Sequence, residues 1–268
     1  LEGEGIHLPP QVLDAACTAL NSGRNVILTG PPGNGKTELA VALAKEWAEA
    51  SRPPEREGLM ATASPAWTTG DLIGRYFPNP SGVGLDFREG FLLRALRERR
   101  WLVIDELNRA PIDSCFGELF TLLSGHSVDL PYQIVPKGRE DPVPVRILAR
   151  GSSVQLSSDG GPPDSVDYRM FDGFRLIGTM NDADRNDLHQ LSFAFLRRFD
   201  VIRIEAPSPD EVRGIIEGYL HDCIQKARVG TLGYRFVVKG KVVRRAIDLL
   251  TEDAQQLLAQ LFERDPGP

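Results

Sequence analysis

The stretch that decides the fold reads Gly30-Pro31-Pro32-Gly33-Asn34-Gly35-Lys36-Thr37 and matches the pattern G-x-x-x-x-G-K-[ST]. Its glycines let the backbone curl, so that successive N–H groups point at phosphate oxygens. The start of the following helix adds the positive end of its dipole. The pattern predicts that Lys36 reaches the outer phosphates and that the Thr37 hydroxyl ligates Mg²⁺. We expect the cradle to comprise Gly30, Pro32, Gly33, Asn34, Gly35, Lys36, Thr37 and Glu38.

The flanks of this stretch supply the context that separates a phosphate loop from a chance match. Asn25–Thr29 is a short apolar run typical of a buried strand. After the loop, Leu39, Leu43 and Trp47 recur at helical spacing. Strand, glycine loop and helix therefore follow one another, as phosphate binding requires.

Further along the chain, apolar runs alternate with helical patterns. A first helix is predicted after Pro9-Pro10, and another is predicted around Phe116–Leu123. Alternation of this kind favours a parallel sheet covered by helices. We predict a three-layer αβα fold with five parallel strands, the other four being Leu59–Ser64, Trp101–Ile104, Arg175–Thr179 and Val201–Ile204.

Two long stretches exceed this minimal unit. Gly70–Gly90 and Ser127–Gly173 are rich in glycine and proline, and the second contains β-like runs at Val143–Ala149 and Ser153–Ser157. Long insertions in compact domains are usually functional or disordered.

The pattern changes near Pro207. Ser208–Glu211 resembles a capping box with proline at the first helical position. Helices are also predicted at Val242–Leu250 and Ala254–Phe262. We therefore predict a nucleotide-binding domain over residues 1–206 and a small helical lid over residues 207–268.

A second chemical motif follows the strand Leu102–Ile104, which ends in Asp105 and Glu106. Asp105 is placed to hold Mg²⁺, and Glu106 is placed to orient and polarise an attacking water. The alternative is a strand that merely ends in charged turn residues. The phosphate loop upstream favours the functional interpretation.

Three polar residues complete the predicted site. Asn181 follows a strand at its carboxyl end, the edge where open parallel sheets bind ligands, although an asparagine in a turn would look the same. Arg197 and Arg198 lie between a helix and a strand. Either arginine could stabilise transition-state charge in a neighbouring subunit, or the pair could simply cap the helix.

Composition excludes several other classes of protein. The chain has 268 residues, a net charge of −6 and no long apolar run, so we expect neither a membrane span nor a basic nucleic-acid surface overall. A local basic patch at Arg94, Arg97, Arg99 and Arg100 stays open beside the alternative of an exposed helix face. The three cysteines lack metal-site spacing, which favours the cytoplasm.

These motifs together resemble the AAA+ family, in the clade with an insertion in helix 2, and are closest to the McrB-type nucleotidases. The string Ile104–Pro111 is similar to the clade's D-E-I-N-R-A pattern, and Gly178–Arg185 resembles G-T-M-N-T-A-D-R. Phe195–Phe199 resembles the A-L-R-R-R-F that follows. Asp182 and Asn186 depart from the McrB signature.

The resemblance implies more than the spacing does. Family members form rings, usually hexamers, with nucleotide at the subunit interfaces. Asn181 matches the sensor 1 position, Arg197 and Arg198 match the arginine-finger position, and the region after Pro207 matches the lid. No clear sensor 2 arginine is found. We expect ATP with Mg²⁺, with GTP as the alternative.

Three functions follow as hypotheses. The first is a ring-forming ATPase that remodels or moves a protein or nucleic-acid partner. The second is a GTP-hydrolysing subunit that powers a nuclease, as the McrB resemblance implies. The third is a nucleotide-gated binding module with little turnover, whose loops change shape on binding and recruit another protein. The expected partners are other copies of the chain and an unidentified protein, such as a nuclease or an adaptor. A kinase fits less well, because Asn181 and the paired arginines favour hydrolysis.

Overall fold

The computed structural model describes residues 9–51, 57–80, 84–136, 140–152, 164–181, 192–206, 236–238 and 241–243. The chain divides into two compact units, Leu1–Ala206 and Pro207–Pro268. The first unit carries the helices α1 to α7, at Pro10–Asn21, Lys36–Ala50, Thr69–Leu72, Phe91–Arg97, Ile112–Cys115, Gly117–Leu123 and Phe193–Leu196. Its strands β1 to β10 are Asn25–Gly30, Leu59–Thr62, Gly74–Pro78, Leu85–Glu89, Leu102–Asp105, Val128–Ile134, Val143–Leu148, Val166–Arg169, Leu176–Asn181 and Phe199–Arg203.

The core of the first unit is a five-stranded sheet in the order β10-β1-β9-β5-β2. All four pairings are parallel. Each of the five strands that the sequence predicted lies in this sheet. The predicted parallel α/β fold is therefore confirmed.

Helices cover both faces of the sheet. Every residue of β1 is buried, and successive side chains of a strand point to opposite faces, so neither face of β1 meets solvent. α1 packs on β1 and β10, α2 packs on β1, β9 and β5, and α4 packs on β2 and β5. This arrangement explains why β1 reads as a continuous apolar run rather than as an alternating one.

The sheet brings the predicted site residues to one edge. Because its strands are parallel, their carboxyl ends meet there. Gly30, at the end of β1, pairs with Asn181, at the end of β9. Asp105 ends β5 on the other side of β9.

The two predicted insertions have structure of their own. The first contains the antiparallel hairpin β3–β4, and the second contributes the sheet β6-β7-β8. Tyr132 of β6 packs its ring against Tyr76 and Phe87 of the hairpin, at centroid distances of 5.9 and 5.1 Å. The Tyr168 hydroxyl on β8 donates to Glu89 Oε1 at 2.7 Å. The insertions are thus joined to each other by aromatic packing and by a buried hydroxyl.

The predicted lid helices mostly fall outside the described residues, as does the β-like run Ser153–Ser157. One expectation there is wrong. Val242 and Val243, predicted to begin a helix, lie instead in the strand β12, Lys241–Val243, which pairs with β11, Phe236–Val238. β-Branched valines favour strands, and here Val242 and Val243 pair with Val237 and Phe236 in the antiparallel ladder.

Candidate functional site

The phosphate loop connects β1 to α2 through three glycines with positive φ. Gly30, Gly33 and Gly35 have φ values of 151°, 81° and 71°. A Cβ at Gly30 would lie 2.1 Å from the carbonyl oxygen of Ile204, so no other residue fits there without displacing the backbone. Around Gly33 and Gly35 the space is open, and glycine is favoured by conformation alone. The loop is therefore shaped both by sterics and by backbone preference.

Two side chains of the loop contact the backbone around it. The Lys36 ammonium group donates to the carbonyl of Pro31 at 2.6 Å, and Lys36 is buried. Asn34 Nδ2 donates to the carbonyl of Ile204 at 3.4 Å, directly after β10. Ile204 in turn donates its N–H to Thr29 at 2.7 Å. Ile204, the residue that follows β10, thus contacts the phosphate loop and fixes it against the sheet.

A cluster of hydroxyl and carboxylate groups lies beside the loop. The Thr37 hydroxyl donates to Asp105 Oδ1 at 2.6 Å. The Thr179 hydroxyl on β9 reaches the same oxygen, also at 2.6 Å. Thr37 and Thr179, which lie 68 and 74 positions from Asp105 in the chain, therefore contact the same carboxylate oxygen.

Glu106 follows in an unusual backbone conformation. Its φ of 51° and ψ of 44° are left-handed, which costs roughly 1–2 kcal/mol for a residue other than glycine. Its N–H donates to Thr179 Oγ1 at 3.1 Å, and its carboxylate accepts a short hydrogen bond from Arg109. These contacts offset the cost and turn Glu106 away from the ladder of β5.

The same groups line one pocket of about 390 Å³ at the carboxyl edge of the sheet. Its polar lining differs from that of an apolar ligand cavity and suits a phosphate chain. The pocket is bounded by Pro32, Gly33, Asn34, Gly35, Lys36, Thr37, Glu38, Asp105, Glu106, Thr179 and Asn181. All predicted loop residues except Gly30 thus line it, together with the predicted carboxylates and Asn181.

The donor set fits a magnesium ion. Mg²⁺ prefers hard oxygen ligands and usually takes only one or two from the protein, the rest coming from phosphate and water. The Thr37 hydroxyl and the Asp105 carboxylate are such oxygens, already in contact. Among the described residues no cluster of three or more histidine, cysteine or acidic side chains offers a competing, all-protein metal site.

The two predicted arginines have different surroundings. Arg198 stacks on Phe120 with its guanidinium carbon 5.2 Å from the ring centroid, and it donates to the carbonyl of Phe120 and to Ser124 Oγ. Burial and the nearby charge of Arg197 lower the pKa of Arg198. The Arg197 side chain is exposed, and no hydrogen bond or ion pair joins it to a residue in the described part of the chain, whereas its backbone N–H donates to the carbonyl of Phe193 at 3.2 Å. The structure thus distinguishes Arg198, whose side chain is fixed by contacts within the chain, from Arg197, whose side chain is exposed to solvent.

Most arginines of the cluster at the end of α4 already make contacts within the chain. Arg97 pairs with Glu89, Arg100 pairs with Glu98 and donates to the carbonyl of Gly58, and Arg99 stacks on Phe171. These contacts favour the interpretation of a paired helix end over that of a nucleic-acid patch.

The described residues support neither a nucleophilic cysteine nor a membrane-spanning helix. Burial, with a smaller contribution from Asp14 or Asp71, raises the pKa of the Cys17 and Cys115 thiols, which disfavours a reactive thiolate. In the part of the chain that the structure describes, every helix is too short or too polar to cross a bilayer.

Sequence reasoning missed Thr179. It was treated only as the last residue of a strand, yet its hydroxyl joins Asp105 and Glu106. The signal was present, because alternation along a strand places Thr179 and Asn181 on the same face.

Comparison with known proteins agrees with this geometry. The family model described as "AAA domain (dynein-related subfamily)" matches residues 25–199. The McrB subunit of the type IV methyl-directed restriction enzyme of Escherichia coli K12 is 27% identical over 207 residues, which cover 75% of this chain and 39% of that protein. Midasin of Dictyostelium discoideum is 33% identical over 32% of this chain and 1% of its own length. The uncharacterized protein YojN of Bacillus subtilis is 34% identical over 37% of this chain and 31% of its own length.

The chain thus spans less than half of each of these relatives, and the likeness to each is limited to that shared part. The family match covers well over half of the chain and contains the phosphate loop, Asp105, Glu106 and Asn181. The residues matched include four of the five strands of the central sheet, β1, β2, β5 and β9, and end at the first residue of β10. This chain belongs to the AAA domain family, in its dynein-related subfamily, and is an AAA-type nucleotide hydrolase.

Proposed function

We propose that this chain hydrolyses Mg²⁺-ATP at the interfaces of a ring of identical subunits and uses the energy to remodel or move a partner. One observation carries the proposal. The Thr37 hydroxyl is bonded to Asp105 in a pocket that Lys36, Glu106 and Asn181 also line. This is the set of groups that positions a triphosphate, a metal and a water for in-line attack.

Each side chain has a distinct proposed role. The loop N–H groups and Lys36 bind the phosphates, while Thr37 and Asp105 hold Mg²⁺, which neutralises phosphate charge when bound. Glu106 orients the water and accepts its proton, and Asn181 holds the same water. Arg109 donates a hydrogen bond to the Glu106 carboxylate, so Glu106 must exchange that contact for one with the water.

Arg197 is the proposed arginine finger. A finger must reach a neighbouring subunit. The Arg197 side chain is exposed and makes no hydrogen bond or ion pair with the described residues. Arg198 is tied to Phe120, Ser124 and Ala194, which supports a structural role at the base of the same segment. Of the two residues predicted for this role, we therefore propose Arg197 as the finger and Arg198 as its support.

Glu106→Gln tests the proposed chemistry. The amide still fits the site but cannot accept the proton, so nucleotide affinity should stay close to that of the unmodified chain while turnover falls by about 10²-fold or more. Calorimetry gives the affinity and phosphate release gives the rate. The matched control is Glu49→Gln, an exposed position on α2 outside the pocket. Normal turnover in Glu106→Gln would remove Glu106 from the proposed role.

A second candidate is favoured by the likeness to the McrB restriction subunit, namely a GTP-hydrolysing subunit that works with a nuclease. Competition between ATP and GTP for the same site separates the two. Preference for GTP, with turnover stimulated by a nuclease partner, would favour the second candidate. Binding without turnover of either nucleotide would instead favour the gated binding module.

A further inference from the structure

Thr179 occupies the junction between the two carboxylates of the site. Only 2% of it is exposed, so its hydroxyl has to satisfy its hydrogen bonds within the protein. It touches Asp105 Oδ1 at 2.6 Å and the N–H of Glu106 at 3.1 Å.

The direction of these bonds follows from elementary chemistry. The Glu106 N–H can only donate, so Thr179 Oγ1 accepts there and its own proton is free for Asp105. The Thr37 hydroxyl donates to the same Asp105 oxygen. A single ordered chain of bonds therefore runs from the backbone of Glu106 through Thr179 to the oxygen that Thr37 also contacts.

The sheet explains why this side chain is needed. The pairing of β5 with β9 ends at Ile104 and Gly178, one position before Asp105 and Thr179. Beyond that point Glu106 has left-handed φ and ψ, so its N–H cannot continue the ladder. The Thr179 hydroxyl provides the acceptor that the backbone of β9 no longer does.

Close packing brings the two strands together at this point. A Cβ at Gly178 would lie 2.8 Å from Leu107 Cδ2, so the turn that follows Glu106 rests directly on β9. Leu107 is fully buried, which fixes the turn on the glycine. The spacing between Glu106 and Thr179 is therefore set by packing as well as by the hydrogen bond.

We infer that Thr179 is a positioning residue that couples the carboxylate of Asp105, the proposed metal ligand, to the backbone of Glu106. The inference rests on the proposed function, because it concerns the same site. Through Thr179, the placement of Asp105 against the metal and the placement of Glu106 against the water depend on each other. Thr179 acts through these two residues, to which its hydroxyl is bonded.

Thr179→Val tests the inference, since valine keeps the shape and removes the hydroxyl. Loss of a buried hydrogen bond to a charged group should lower kcat about tenfold or more. The increase in nucleotide affinity that Mg²⁺ confers should shrink by a similar factor, while affinity in EDTA should be unchanged. A merely structural role would not change the metal-dependent part of binding selectively.

Two further variants make the result decisive. Thr179→Ser keeps the hydroxyl and should recover most of the loss, and Met180→Leu alters the buried neighbour on β9, whose side chain points to the other face of the sheet. Met180→Leu should match the unmodified chain in both measurements. Melting temperature is recorded for every variant. If Thr179→Val is too unstable to assay, Thr179→Ala, which also removes the hydroxyl, takes its place.

The inference is overturned if Thr179→Val keeps full turnover and full Mg²⁺ dependence, or if Thr179→Ser is as impaired as expected for valine. Failure of the proposed function is a different result. In that case the unmodified chain would not hydrolyse nucleotide, or Mg²⁺ would not increase its affinity for nucleotide, whatever stands at position 179.

Discussion

At the scale of single residues, Gly30 and Gly33 show that two glycines of one motif are required for different reasons. Gly30 lies against the carbonyl of Ile204, whereas nothing lies within 4 Å of a Cβ built on Gly33. The consensus pattern treats both positions only as parts of one loop. Only the packing of β10 against β1 distinguishes them, and that packing depends on residues about 170 positions away.

Gly30→Ala should therefore destabilise the fold by about 2–4 kcal/mol, because the methyl group collides with backbone that cannot move freely. Gly33→Ala should cost about 1 kcal/mol, the strain of left-handed φ without a clash. Urea unfolding of the two variants, side by side with the unmodified chain, measures both values. Equal losses of stability would show that the contact with Ile204 does not limit the loop.

Residue types in the motifs predicted which side chains come together in one pocket, and the hydrogen bonds among them were harder to predict. Lys36, Thr37, Asp105, Glu106 and Asn181 were found from spacing, and all of them line one pocket. The contacts of Thr179 and Arg109 depend on the left-handed backbone of Glu106, which a short charged string after a strand does not reveal.

At the scale of elements, the insertion sheet β6-β7-β8 is held by an ion pair across two strands. Arg146 on β7 donates from Nε and Nη2 to the two oxygens of Asp167 on β8, at 3.0 and 3.1 Å. Burial opposes ionisation of Asp167, but hydrogen bonds from Arg146 and Ser165 outweigh it and lower the pKa of the carboxyl group. The pair therefore stabilises β8 against β7 while Asp167 is ionised.

Asp167→Asn should lower the free energy of unfolding by about 1 kcal/mol at neutral pH, a value reduced by the partial exposure of Arg146. Because the folded pKa lies below the unfolded pKa, this stabilisation is present above the unfolded pKa and is lost as pH falls through the folded one. The difference between Asp167→Asn and the unmodified chain should thus narrow in acid. Denaturant unfolding at several pH values measures it, with the exposed Asp141→Asn as control. A difference in unfolding free energy that does not change with pH would contradict the assignment of this stabilisation to ionised Asp167.

The elements of the central sheet were easier to predict than those of the insertions. Buried parallel strands are short apolar runs, so β1, β5 and β9 stand out in the sequence. β3 and β4 are largely exposed and read as loop, because their pairing depends on each other and on Tyr132 rather than on a local apolar pattern. Val242 was misassigned because an apolar run fits helix and strand alike.

At the scale of the whole molecule, the proposed site draws on two subunits. Lys36 lines the pocket of its own chain, while the side chain of Arg197 is exposed and bonded to no residue among those described. If Arg197 completes a neighbour's site, variants at these two positions are defective in different halves of the same interface.

Lys36→Ala should abolish turnover. Arg197→Ala should lower the rate of turnover by about 10³–10⁵-fold, if the finger supplies most of the transition-state stabilisation. Mixed in equal amounts, they should regain about one quarter of the normal rate, because random assembly pairs the two intact halves in that fraction of interfaces. Phosphate release from mixed and unmixed samples at matched concentration measures this. Arg198→Ala serves as comparison and should mainly lower the melting temperature. A mixture as inactive as its components would place Arg197 outside the site.

The carbonyl of Ile204 has a wider consequence. It lies against Gly30 and accepts from Asn34, while the N–H of the same residue is fixed to Thr29. The Ile204 carbonyl cannot move away from the loop unless the hydrogen bond from the Ile204 N–H to the carbonyl of Thr29 breaks. The start of the phosphate loop and the end of the last central strand therefore form one rigid joint, and a length change on either side must be matched on the other.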